Sequence, residues 1–106
     1  AYGSTETGLI AFMPAHAPLE KPGSCGRPLK GVLVEIRDTQ GRRLPANATG
    51  EIWARTPRSL SCDLLGPHIR RDADGFLATA DFGRIDEDGF LYITGRATAQ
   101  EIRAAG

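Results

Sequence analysis

The chain has 106 residues, 41% hydrophobic and 25% charged, which suits one domain or one subdomain of a larger protein. Thirteen Lys and Arg balance thirteen Asp and Glu, so no bulk field draws the chain to nucleic acid or to an anionic membrane. No apolar run approaches the ~20 residues of a membrane span, and the first residues lack the basic-then-apolar order of a secretion signal.

Cys25 and Cys62 are the two cysteines and form no CxxC pattern. They read as separate thiols of a cytoplasmic protein, with one disulfide as the alternative. Thirteen glycines and seven prolines argue against a helical bundle and for short strands joined by tight turns.

Residues 8–13 are an apolar run ended by Pro14, as in a buried strand, and residues 14–26 read as an irregular loop. In residues 32–37, Val32, Val34 and Ile36 share one strand face while Glu35 and Arg37 lie on the other. Asp38-Thr39-Gln40-Gly41 has the end residues of a type I turn. A strand over 51–55 follows, stopped by Pro57. Residues 58–74 fit a short helix or a draped loop equally well, because Leu60, Leu64, Leu65 and Ile69 follow neither period.

Strand segments are expected over 75–80 and 82–85, on either side of Asp81. A turn at 86–89 and a strand over 90–94 complete the β pattern. Thr98-Ala99-Gln100-Glu101 fits a capping box that would open a short helix. No internal repeat stands out. The expected core is Val32, Val34, Ile36, Ile52, Phe76, Leu91 and Ile93. Turn signals between short alternating strands suggest an all-β barrel or sandwich-like unit.

Two clusters could carry chemistry. Tyr2-Gly3-Ser4-Thr5-Glu6-Thr7-Gly8 places an aromatic ring, a flexible glycine, hydroxyls and a carboxylate within seven residues. Hydroxyls can donate to phosphate oxygens, and a carboxylate beside phosphates suits Mg²⁺. A polar N-terminal turn is the alternative. Near the other end, Asp81 interrupts an apolar strand and Arg96 follows Gly95. A carboxylate accepts from ribose hydroxyls and a guanidinium binds hydroxyls or phosphate, whereas a turn acid and a solvated arginine are the ordinary readings. His16 and His68 have no partner at catalytic spacing and read as surface residues.

Tyr2-Gly3-Ser4-Thr5-Glu6 resembles the Tyr-Gly-x-Thr-Glu signature of the AMP-binding, acyl-adenylate-forming superfamily. Gly26-Arg27-Pro28-Leu29-Lys30-Gly31 and Gly50-Glu51-Ile52-Trp53 are similar to its next two landmarks. The run from Thr79-Ala80-Asp81 to Gly95-Arg96 resembles its Thr-Gly-Asp…Gly-Arg motif. By that resemblance the chain is an internal fragment of the large adenylating domain, mainly β, a distorted antiparallel β-barrel subdomain with short irregular or helical segments. Residues 1–13 would be a motif strand from the neighbouring subdomain, 14–96 the barrel, and 97–106 a hinge and tail.

The resemblance further implies that Tyr2 lies against adenine, Gly3 lines its pocket and Thr5 bonds the α-phosphate. Glu6 would hold Mg²⁺, Asp81 would grip the ribose hydroxyls, and Arg96 would reach the ribose or phosphate. The implied reaction is ATP-dependent activation of a carboxylic acid to an acyl-AMP, followed by thioester formation, usually with coenzyme A. The rest of the adenylating enzyme would be the partner. The family's phosphate loop and catalytic lysine do not match any stretch of this chain, so the chain alone is expected to be inactive. A non-catalytic module on the same scaffold and part of a peptide-synthetase adenylation domain are the alternatives.

Ala80 stands where the signature has glycine, a change small in volume, and Ala78 where it has a basic residue. Thr98 and Ala99 replace the usual hinge pair. Leu9, Ile10 and Phe12 are expected to be under-packed in so short a chain, or covered by self-association through the N-terminal strand.

Overall fold

The structure is a computed structural model that describes residues 2–4, 8–12, 21, 23–60 and 70–96, with backbone alone for Ser4, Leu9, Phe12 and Arg96. The expected helix after Thr98 and the hinge therefore lie outside the described residues. Among the described residues the elements are β1 (Tyr2–Ser4), β2 (Gly8–Phe12), β3 (Ser24–Pro28), β4 (Leu33–Arg37), β5 (Gly50–Arg55), α1 (Pro57–Leu60), β6 (Leu77–Ile85) and β7 (Leu91–Arg96).

All strand pairs are antiparallel, in the order β1-β2-β3-β7-β6-β5-β4. The mainly-β, antiparallel expectation holds. Among the described residues the ladder is open rather than closed into the expected barrel, because β1 and β4 end the sheet without pairing to each other.

Ile10, Ala11, Val32, Ile36, Ile52, Ala54 and Leu91 form one buried cluster, with Tyr2, Cys25, Leu29, Val34, Leu44 and Ile85 packed against it. Burying a side chain such as Ile52 or Leu91 contributes roughly 1.5–3 kcal/mol. Five of the seven expected core residues are buried, and Val34 packs at the edge of the cluster. Ile93 is 38% exposed, against expectation. Its cross-strand partner is Gly83, which offers no side chain to cover it. Ile10 is fully buried, so it is not under-packed.

The sheet is buried on its second face as well, which the alternation of β4 did not suggest. Trp53 and Phe76 cover that face, and the Arg37 guanidinium lies 4.4 Å from the Trp53 ring and 5.0 Å from the Phe76 ring. Arg37 is 9% exposed and is paired with Asp72 at 2.7 Å and Glu35 at 2.9 Å. A buried cation is tolerated there because its charge is matched and its flat faces stack on rings.

Part of the expected loop over 14–26 is strand. Residues 24–28 pair with β2 on one side and β7 on the other, with a bulge between Ser24 and Gly26. Backbone pairing, not apolar alternation, makes this strand, so periodicity missed it. Pro57 does end β5. It then opens α1, where Ser59 N–H donates to Thr56 Oγ1 at 3.0 Å and Thr56 N–H donates to Ser59 Oγ at 2.7 Å. That is a reciprocal cap with Ser in place of the usual Glu or Gln, and Pro at the first helical position.

Three hairpin tips among the described residues share one design, begun by Asp38, Asp72 and Asp86. In each, the Asp carboxylate Oδ1 accepts the amide two residues on, at 2.8, 2.9 and 3.0 Å. The same oxygen accepts the amide four residues on, at 2.9, 3.0 and 2.9 Å. The fourth residue is Gly41, Gly75 or Gly89, at φ of 82°, 91° and 85°. A type I turn followed by a left-handed glycine matches the twist of the strands it joins. Asp72-Ala73-Asp74-Gly75-Phe76 and Asp86-Glu87-Asp88-Gly89-Phe90 are thus one local motif used twice. The first lies in the stretch that periodicity left undecided.

Candidate functional site

The site is built on an irregularity of β6. Glu51 pairs with Phe82 and Trp53 with Ala78, so Thr79, Ala80 and Asp81 together face the single residue Ile52. Extra residues on one strand bend it and re-aim its side chains. The Thr79 hydroxyl donates to the Ile52 carbonyl at 2.8 Å and accepts the Asp81 N–H at 3.2 Å. Ala80 turns through φ of 64°. Its N–H, removed from the ladder, donates to Glu51 Oε2 at 3.2 Å.

Glu51 is 4% exposed, and a carboxylate that deep requires a matched charge. Arg70 provides it in two-pronged fashion: Nη1 donates to Oε1 at 2.8 Å and Nη2 to Oε2. Arg70 also lies 5.8 Å from the Trp53 ring centre. Sequence reasoning gave neither residue a role. Glu51 belongs to the Gly50-Glu51-Ile52-Trp53 landmark, and its place in a strand-forming run is its only signal. Arg70 lay in the stretch without periodicity.

Strand β1 brings Tyr2 to this bulge. The Tyr2 hydroxyl donates to Asp81 Oδ2 at 2.7 Å, across 79 residues of sequence. Burial pushes the Tyr2 phenol well above its ordinary value; the Thr79 hydroxyl opposes this, while the hydrogen bond and charge of Asp81 add to it. Tyr2 is therefore a neutral donor across the physiological range. Asp81 is also the ladder partner of Arg96 on β7.

The fold thus brings Tyr2, Asp81 and the backbone of Arg96 together. Gly3 is exposed on β1 opposite Leu9. Thr5 and Glu6 lie outside the described residues, as do His16, His68 and Cys62. Among the described residues there is no group of three His, Cys, Asp or Glu side chains placed to hold a metal ion. Cys25 is a free thiol, half-buried against the Leu91 carbonyl at 3.4 Å, and burial raises its pKa. Lys21 is engaged by Asp86 and Asp88, both at 2.8 Å.

No helix among the described residues is long and apolar enough to cross a membrane. Residues 1–62 match the family model described as AMP-binding enzyme. The chain is 35% identical over 95 residues to an uncharacterized acyl–CoA ligase of Bacillus subtilis, covering 90% of this chain and 19% of that protein. It is similar in structure to ATP-bound MatB from Rhodopseudomonas palustris, with a TM-score of 0.72, 33% identity, and coverage of 90% of this chain and 20% of the other. The amide bond synthetase McbA from Marinactinospora thermotolerans gives a TM-score of 0.70 and 38% identity at the same coverage. The chain spans about a fifth of the length of these relatives. On the match over 1–62, which includes the Tyr2 motif, the chain belongs to the AMP-binding enzyme family.

Proposed function

We propose that this chain is a segment of an AMP-forming acid–thiol ligase and supplies the ribose side of its ATP/AMP site. In the parent reaction a carboxylate oxygen attacks the α-phosphorus of ATP, and pyrophosphate leaves. A thiol sulfur, in our reading that of coenzyme A, then attacks the acyl carbon and expels AMP. The carrying observation is the 2.7 Å bond from Tyr2 to Asp81, which joins the first motif to the last beside Arg96.

In this reading Asp81 accepts the ribose hydroxyls, Tyr2 and Gly3 border the adenine, Thr5 meets the α-phosphate, and Arg96 reaches the ribose or phosphate. Glu6 would carry Mg²⁺, supplying positive charge as pyrophosphate departs. Residues 1–13 would be the motif strand of the parent's neighbouring subdomain, joined through β2 to β3, 14–96 the rest of the β unit, and 97–106 the hinge and tail. The partners are the rest of the enzyme and a carboxylic acid. The free Cys25 thiol suits a reducing cytoplasm. The buried Ile10 removes one reason for self-association through the N-terminal strand.

Titrating AMP into the isotope-labelled chain tests this. Weak binding with shifts at the amides of Tyr2, Asp81 and Arg96 is expected, and Asp81→Ala should abolish them. Shifts confined to other residues would overturn the assignment of Asp81. Carboxylate-dependent pyrophosphate exchange by the 106-residue chain alone would overturn its status as one part of a larger site.

A further inference from the structure

We infer that Glu51, clasped by Arg70, is the positioning residue that fixes the 79–81 bulge and so aims Asp81 at its ligand. The inference rests on the reading of Asp81 as the ribose acceptor and adds what holds it in place. Three observations converge. Ala80 occupies a left-handed conformation, φ 64°, which costs an L-residue roughly 1–2 kcal/mol. Such strain persists only where the surroundings over-determine it. The Ala80 N–H has left the ladder and donates to Glu51, 29 residues earlier in sequence, at 3.2 Å.

The accepting carboxylate is 4% exposed, so it cannot swing out to solvent without leaving a cavity. The two-pronged Arg70 pair fixes the plane of that carboxylate, as a planar guanidinium does and an ammonium does not. Asp81 itself is held from the other side by Thr79, whose hydroxyl accepts the Asp81 N–H. Glu51 and Thr79 thus grip consecutive amides, and the direction of the Asp81 side chain follows from both.

A purely structural role would predict that loss of Glu51 weakens the sheet and nothing else. Three variants separate the readings: Glu51→Ala, Glu51→Gln, which keeps a carbonyl acceptor for the Ala80 N–H, and Arg37→Met. The last removes the other cation on Trp53 without touching the bulge. The preference of each for AMP over 2′,3′-dideoxy-AMP is read by NMR titration, and amide hydrogen exchange is measured at Ala80 and Phe82.

Glu51→Ala should accelerate exchange at Ala80 by roughly tenfold relative to Phe82, the loss of one hydrogen bond, and should bring the ribose preference near unity. Glu51→Gln should keep most of both, and Arg37→Met all of the preference despite its lower stability. An unchanged preference in folded Glu51→Ala overturns the inference. If the unaltered chain shows no ribose preference, the reading of Asp81 fails by itself. Exchange at Ala80 then decides the clasp, and unaltered protection in Glu51→Ala overturns it.

Discussion

The hairpin tips and the 79–81 bulge meet the same need in opposite ways. Each requires a residue at positive φ and a partner for amides that have left the ladder. At Asp38, Asp72 and Asp86 both needs are met within five residues, by the opening carboxylate and a glycine in fourth place. At the bulge the positive φ falls on Ala80, whose amide is taken by Glu51 from another strand, while the Asp81 amide is taken by the Thr79 hydroxyl, itself anchored on the Ile52 carbonyl. Local devices shape the scaffold, and the non-local one carries the functional carboxylate. A self-sufficient turn would hold its form anywhere, whereas the bulge holds only when β5 is in register.

The largest way to break that distinction is at Gly83, directly after the bulge. A Cβ there would sit 2.2 Å from the Tyr92 carbonyl oxygen and 2.9 Å from Ile52 Cδ1. Backbone cannot yield as a flexible side chain can, so Gly83→Ala should cost about 3 kcal/mol, or ~15 °C in Tm. Thermal unfolding followed by Trp53 fluorescence checks it. A Tm unchanged within a degree would mean that β6 and β7 do not approach as described.

At the tips the effect should be smaller and purely conformational. A Cβ on Gly89 meets nothing within 4 Å, so only its φ of 85° opposes a side chain. Gly89→Ala should therefore cost about 1 kcal/mol and leave nucleotide binding alone. At Gly75 the same φ problem is joined by Leu60 Cδ2 at 2.6 Å, the end of a flexible, exposed side chain that can move. Denaturant unfolding of Gly75→Ala should give a loss equal to or slightly above that of Gly89→Ala. A loss at Gly89 as large as at Gly83 would erase the contrast between local and non-local constraint.

The same contrast explains what the sequence made legible. Asp38-Thr39-Gln40-Gly41 and the 86–89 turn could be read because their cause lies within the motif. Val32, Ile36, Ile52 and Leu91 could be read because burial on one face imposes period two. Arg37 misled, since a cation on the expected polar face is buried by Trp53 and Phe76, which come from elsewhere in the chain. β3 was invisible because its strand character comes from neighbours on both sides. Tyr2, Asp81 and Arg96 stood out by their local chemistry and took their roles from family resemblance, and their convergence needed the fold. Glu51 and Arg70 escaped notice because a supporting ion pair has no local pattern.

Acid acts on the tips through their carboxylates. Lys21 foremost, with the amides of Phe90 and Asp88, holds the Asp86 carboxyl down at about 2 against an ordinary 3.8. Because the folded value is depressed, the stabilisation is full above 3.8 and fades as pH falls towards 2. The bond to Asp86 in turn raises Lys21 above its ordinary value. Lys21→Met should move the Asp86 titration back towards 3.8, lower stability above that pH and shrink the part of it lost between 3.8 and 2. A ¹³C-carboxyl titration reads this directly, and an unshifted Asp86 in the unaltered chain would refute the Lys21 bridge.

The smallest effect is expected at Ala80 itself. Ala80 holds a conformation that glycine adopts without strain, so Ala80→Gly relieves roughly 1–2 kcal/mol. Glycine also leaves the unfolded chain freer, which takes back about 0.5–1 kcal/mol. The net gain should be about 0.5 kcal/mol, seen as a slightly raised denaturant midpoint with an unchanged slope. That sign is opposite to Gly75→Ala and Gly89→Ala, where a side chain is added at a positive φ rather than removed. Coupled with Glu51→Ala, the relief should persist: without its distant partner the bulge still favours glycine, but Asp81 is no longer aimed. Stability and ribose preference would then separate in one molecule, stability following Ala80 and preference following Glu51. Destabilisation by Ala80→Gly would mean that the backbone at 80 is not left-handed, and the clasp would lose its reason to exist.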